Sequence, residues 1–138
     1  MDADDSALRE VIDLFVQQGY QERFLYLLEK PKRRAQLYED LLHDAARMRR
    51  DRRLELTPPQ SDPGHLFMLL RNKGAGQTCF VFSRRHDLDG QLVDLRAAME
   101  SVAGQMGEVI LYCPEGKVAF IEEHDGRQFI LSQKLSPH

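Results

Sequence analysis

The run Thr78-Cys79-Phe80-Val81-Phe82, set between Gln77 and Ser83, is apolar at consecutive positions. Successive residues of a strand face opposite sides of a sheet, so a strand of this composition needs cover on both faces or a place in a sheet's interior. Other strands must therefore flank it, and helices must cover it. Downstream, 108–113, 117–123 and 127–133 alternate or run apolar, separated by Pro114-Glu115-Gly116 and by Asp125-Gly126, a tight-hairpin dipeptide. They predict an antiparallel meander of three strands.

Between strand 77–83 and this meander, Leu92, Leu95, Met99 and Val102 mark a helix that ends near Gly104. A strand-helix-strand crossover of this kind is right-handed and sets its two strands parallel. The expected consequence is that the C-terminal end of strand 77–83 shares an edge with turn 114–117, and that turn 124–126 lies at the opposite edge.

Upstream the pattern is helical. Leu8, Val11, Ile12, Phe15 and Val16 form one stripe of a first helix, with Gly19 as its stop. Phe24-Leu25-Tyr26-Leu27-Leu28 is apolar all round and predicts a short second helix enclosed by its neighbours. Pro31 suits the first turn of a third, which opens with Lys32-Arg33-Arg34. Its stripe of Leu37, Leu41, Leu42, Ala45 and Met48 extends it to about Arg53. Thr57-Pro58-Pro59-Gln60-Ser61 breaks the chain. Asp62 as cap, Pro63 at the first position, Arg71 and Lys73 at the end and Gly74 beyond it predict a short helix.

The expected fold is thus α+β in a single domain of 138 residues. A three-helix part (1–56) and a linker with a short helix (57–76) pack on a C-terminal βαβββ unit (77–138) with a four-stranded mixed sheet.

Charge narrows the function. Nineteen Lys and Arg against 22 Asp and Glu leave −3, which excludes a surface that is basic as a whole, so any contact with nucleic acid must be local. The acidic start Met1-Asp2-Ala3-Asp4-Asp5 does not resemble a secretory signal, and no window approaches the length of a membrane span. A cytoplasmic protein with no membrane partner is expected. Cys79 and Cys113 lie in apolar runs and read as buried thiols.

Two segments stand out as candidate sites. Ser83-Arg84-Arg85-His86-Asp87-Leu88-Asp89-Gly90 joins a buried strand to the start of a helix, where backbone N–H groups and the helix dipole favour anions. Arg84, Arg85, His86 and Asp89 are the anion- or ligand-binding candidates there, with Asp89 otherwise serving as the helix cap. Asp87-x-Asp89-Gly90 resembles the opening of a calcium loop, but the twelfth position is Ala98, which has no ligand oxygen. His86 and its neighbouring carboxylates lack a local nucleophile signature, so no catalytic residue is assigned. The remaining histidines lack metal-ligand spacing, and no metal or cofactor is assigned.

The second segment is Arg47-Met48-Arg49-Arg50-Asp51-Arg52-Arg53, five arginines in seven residues. On a helix end, Arg49, Arg50, Arg52 and Arg53 would offer guanidinium groups to phosphates or to an acidic protein, while also opposing the helix dipole. Glu122-Glu123-His124-Asp125, beside the last hairpin, reads as solvation of an edge.

Charged edges without a catalytic signature point to a small non-catalytic interaction or regulatory protein with a protein partner, in concrete form an antitoxin or immunity factor. The alternatives are a nucleic-acid-associated protein using the arginine-rich helix end 47–53, and a ligand-binding or enzymatic site at the 84–90 loop.

Overall fold

The computed structural model describes residues 3–43, 45–84 and 87–133. Among them the chain forms α1 (Ala3–Phe15), α2 (Gln18–Leu28), α3 (Arg34–Leu42), β1 (Arg53–Leu56), α4 (Pro63–Asn72), β2 (Thr78–Ser83), β3 (Leu92–Asp94), α5 (Leu95–Val102), β4 (Val109–Cys113), β5 (Val118–Glu122) and β6 (Gln128–Ser132). Short 3-10 turns lie at Pro31–Arg33 and Arg50–Arg52. The strands make one six-stranded sheet in the order β1-β6-β5-β4-β2-β3. Every neighbouring pair is antiparallel.

This corrects the expected four-stranded mixed sheet. The two additional strands are both at edges: β3 lies in a segment that the sequence reads as helix, and β1 begins where the third helix is expected to end. Leu92–Asp94 pairs with Thr78–Phe80 as the return arm of a hairpin, and α5 begins only at Leu95, capped by Asp94, whose carboxylate accepts from the Ala97 N–H at 3.0 Å. Because β3 reverses the chain before α5, the helix climbs back along the sheet and β4 descends antiparallel to β2, with Ser83 opposite Val109. The parallel crossover is thereby abolished. The C-terminal end of β2 therefore lies at the same end of the sheet as turn 124–126, and turn 114–117 lies at the other.

The other edge strand, β1, corrects the length of the third helix. α3 ends at Leu42 because the following backbone finds better partners elsewhere: the Ala45 N–H donates to the Glu123 carboxylate at 2.7 Å, Gln17 N–H to the Arg47 carbonyl at 2.8 Å, and Arg49 N–H to the Phe15 carbonyl at 2.6 Å. Ala45 and Met48 are still buried, as their place in the apolar stripe requires, but from an irregular segment bridged to Val16. Arg53–Leu56 then pairs with Gln128–Leu131.

The two-sided strands are explained by cover on both faces. Phe80, Phe82, Ile110, Tyr112, Ile121 and Phe129 point toward α1, α2 and α3. Cys79, Val81, Leu111, Phe120 and Ile130 alternate with them and point toward α4 and α5. The sheet is the middle of three layers, and burying both faces supplies roughly 25 cal/mol for each Å² of apolar surface removed from water. α4 has the predicted start, with Asp62 accepting from the Gly64 N–H at 2.9 Å. α2 departs from expectation. Phe24, Leu27 and Leu28 are buried, but Tyr26 is 54% exposed, so this helix lies on the outside of its layer rather than at its centre.

Candidate functional site

The loop after β2 is a hairpin connection, closed by Gly90 N–H donating to the Val81 carbonyl at 2.7 Å. Arg84 and Asp89 face the layer formed by α1, α2 and α3. Arg84 donates to Glu39 at 2.6 Å and to Glu108 at 3.4 Å. Asp89 accepts from the Tyr38 hydroxyl at 2.7 Å and from the Ser83 N–H at 3.0 Å, and caps no helix. Burial and then the Asp89 hydrogen bond push the Tyr38 hydroxyl well above its ordinary value. Arg84 and Asp89 thus tie the sheet to α3. Arg85 and His86, the other two candidates in this loop, lie outside the described residues.

The arginine-rich segment is not a helix end. It passes through a 3-10 turn into β1, and its guanidinium groups diverge. Arg52 donates to the Leu14 carbonyl at 2.6 Å, Arg53 to the Ala45 carbonyl, and Arg49 pairs with Asp51 at 3.2 Å, which holds the Asp51 carboxyl below its usual range. Arg47 reaches the Asp40 carbonyl and lies 5.6 Å from the Tyr20 ring centre. Arg50 is exposed.

The acidic run beside the last hairpin is the largest surprise. Glu122 has no exposed surface and Glu123 almost none, so these side chains do not solvate an edge. Glu122 accepts from the N–H groups of Gly104 and Met106 at 2.9 and 2.7 Å and from the Gln128 amide at 2.7 Å. It holds the 103–108 loop, in which Met106 and Glu108 adopt positive φ of 54°. Gln128 also bonds both backbone polar groups of Gln60, pinning the proline-rich linker to the sheet. On the other face Glu108 lies 3.9 Å from His43, whose ring stacks on His124 at 4.9 Å. A signal for Glu122 exists in the sequence: it continues the inward phase of Val118 and Phe120. Its partners come from a loop that no local pattern connects to it.

Shallow depressions flank this end of the sheet. One of about 290 Å³ lies beside Ser83, Gln105 and Met106, and one of about 350 Å³ beside Arg53, Glu123 and Arg127. Arg127 there forms a two-pronged pair with Glu55 at 2.8 and 2.9 Å, holding the Glu55 carboxyl below its usual range. Chemically the arrangement anchors loops, since its carboxylates accept from backbone N–H groups and guanidinium groups of the same chain. Among the described residues no group of three or more His, Cys, Asp or Glu side chains is placed to hold a metal ion.

A different surface carries cations that reach no carboxylate among the described residues. α2 stops at Leu28, and Pro31 opens the 3-10 turn, which fans Lys30, Lys32 and Arg33 outward beside Tyr26. Of the acids nearby, Glu29 pairs with Arg9 at 3.3 Å, and Asp4 and Asp5 both pair with Arg34. The Lys30 ammonium lies 5.5 Å from the centre of the Tyr26 ring. Tyr26, Lys30, Pro31, Lys32 and Arg33 line a depression of about 360 Å³ with largely apolar walls.

No protein-family model, curated protein or solved structure gives a significant match to the chain. Among the described residues no helix is long and apolar enough to cross a membrane.

Proposed function

We propose that the protein is a small non-catalytic, cytoplasmic interaction or regulatory protein that acts by binding another protein, in its most concrete form as a neutralising partner of the antitoxin or immunity type. The observation that carries this reading is the Tyr26–Arg33 surface. An exposed tyrosine beside cations that reach no carboxylate among the described residues offers an aromatic anchor with a positive rim, which suits a partner of complementary charge. The two buried free thiols accord with a reducing compartment.

The alternatives draw less support. Nucleic-acid contact through Arg49, Arg50, Arg52 and Arg53 would have to draw on side chains of which three already serve intramolecular acceptors. A ligand or enzymatic site at 84–90 would have to free Arg84 and Asp89 from α3.

Affinity capture from an extract of the source organism, with and without nuclease, followed by reconstitution with the purified partner, tests the reading. Nuclease-resistant recovery of one protein that rebinds stoichiometrically is the expected result. Recovery of nucleic acid alone, lost in an Arg49→Glu/Arg50→Glu variant, would overturn it.

A further inference from the structure

We infer that the depression formed by Tyr26, Lys30, Pro31, Lys32 and Arg33 docks an acidic segment of a partner protein, one in which at least two carboxylates flank an apolar side chain. This deepens the interaction reading above and rests on it.

Charge is satisfied unevenly over the chain. Most described arginines reach an acceptor within the same chain: Arg23 on Asp40, Arg34 on Asp4 and Asp5, Arg84 on Glu39 and Glu108, Arg127 on Glu55. Lys30, Lys32 and Arg33 reach no carboxylate among the described residues, although Asp4, Asp5 and Glu29 are close in the fold. Those acids are taken by Arg34 and Arg9. The turn therefore presents three adjacent positive charges to solvent, which an external acid would pair with.

Between these cations the surface is apolar. The Tyr26 ring, more than half exposed, and Pro31 form the floor. A tyrosine fixed on a helix contributes contact area at small entropic cost, and Pro31 adds a rigid wall. An apolar side chain seated on this floor places flanking carboxylates within reach of the rim.

Size decides between a protein and a nucleic acid. Specific nucleic-acid binding commonly neutralises about 6–10 phosphates along a continuous basic track. Here the exposed cations number three, and Glu22, which lines the adjoining depression, interrupts the continuous basic track that a polyphosphate backbone would follow. A short acidic peptide segment fits between those limits. Charge pairs at an exposed rim act mainly through association rate and salt dependence, so binding should weaken steeply as salt rises.

The test is selection from a random-peptide phage library against the immobilised full chain, followed by fluorescence anisotropy with the enriched peptides. Expected are sequences in which Asp and Glu flank an apolar residue. Replacing their acids by Asn and Gln, or making Lys30→Glu/Lys32→Glu/Arg33→Glu in the protein, should each weaken binding at least about tenfold. Tyr26→Ala should weaken it similarly, and Arg50→Glu, at an exposed cation elsewhere, should leave it unchanged. All these positions are exposed, and unchanged melting curves confirm that the variants fold. Selected peptides without acidic enrichment, binding indifferent to the triple reversal, or tighter binding of a single-stranded oligonucleotide would overturn the inference. If a captured partner binds the triple variant as well as wild type, the partner reading stands and this docking surface falls. If acidic peptides bind but no partner is recovered, the opposite holds.

Discussion

The hydroxyl of Tyr38 donates to the Asp89 carboxylate at 2.7 Å, joining α3 to the loop between β2 and β3 across a separation of 51 residues. Tyr38→Phe removes this bond while keeping the ring, and Asp89 retains the Ser83 N–H. A loss of about 1–2 kcal/mol is expected, measured as a lower urea midpoint with an unchanged slope.

Tyr38 and Tyr112 also contribute to the alkaline limit. Burial, then hydrogen bonds to Asp89 and Glu10 respectively, push both hydroxyls well above the ordinary value of 10.0. The unfolded chain therefore releases these protons first, so their contribution to stability is fully present below about pH 10 and declines as pH rises beyond it. At high pH, Tyr38 and Tyr112 should ionise together with loss of far-ultraviolet circular dichroism, read from the absorbance of tyrosinate. Ionisation of Tyr38 and Tyr112 while the fold is intact would contradict this.

The thiols should be silent in the native state. Burial pushes Cys113 up to about 12 and Cys79 higher still. A thiol reagent at pH 8 should label neither within hours and both promptly in denaturant, since the reacting species is the thiolate.

Two glycines predict opposite signs. Gly116 has φ +77°, and a Cβ there would overlap the Gly74 carbonyl, a backbone group with no freedom to move aside. Gly116→Ala should cost about 3 kcal/mol. Gly19 lies in the first turn of α2, and a Cβ added to it would meet nothing within 4 Å, so Gly19→Ala should raise stability by up to about 1 kcal/mol. Thermal melts of the two variants distinguish them directly.

Glu122 is the most sensitive polar position. Glu122→Ala strands the N–H groups of Gly104 and Met106 and the Gln128 amide, for a loss of about 3 kcal/mol. Faster hydrogen exchange confined at first to 103–108 would show that this carboxylate holds the loop.

Where local pattern and tertiary demand agree, the chain is readable from its residues alone. The α1 stripe from Leu8 to Phe15, the Asp62-Pro63 start of α4 and the two-faced β2 all lie where periodicity and caps place them. β1 is not readable. Arg53-Leu54-Glu55-Leu56 leaves Leu54 largely exposed, and its pairing with β6 comes from a segment more than seventy positions away. β3 is three residues long and borrows Leu92 from an apparent helical stripe. Glu122 and Glu123 read as solvated because their donors, Gly104, Met106 and Ala45, are neighbours in space only. For the candidate surface, the basic run 32–34 is visible, but its division is not: Arg34 turns inward to Asp4 and Asp5, while Lys32 and Arg33 remain outside.

The pairing of β1 with β6 has a consequence for the order of events on the ribosome. β1 is synthesised more than seventy residues ahead of β6, its one partner among the described strands. A nascent chain halted before Gln128 carries a backbone ladder with nothing to bond. Until β6 has been made and is free to pair, that edge of the sheet stays open, whatever the helices have already achieved.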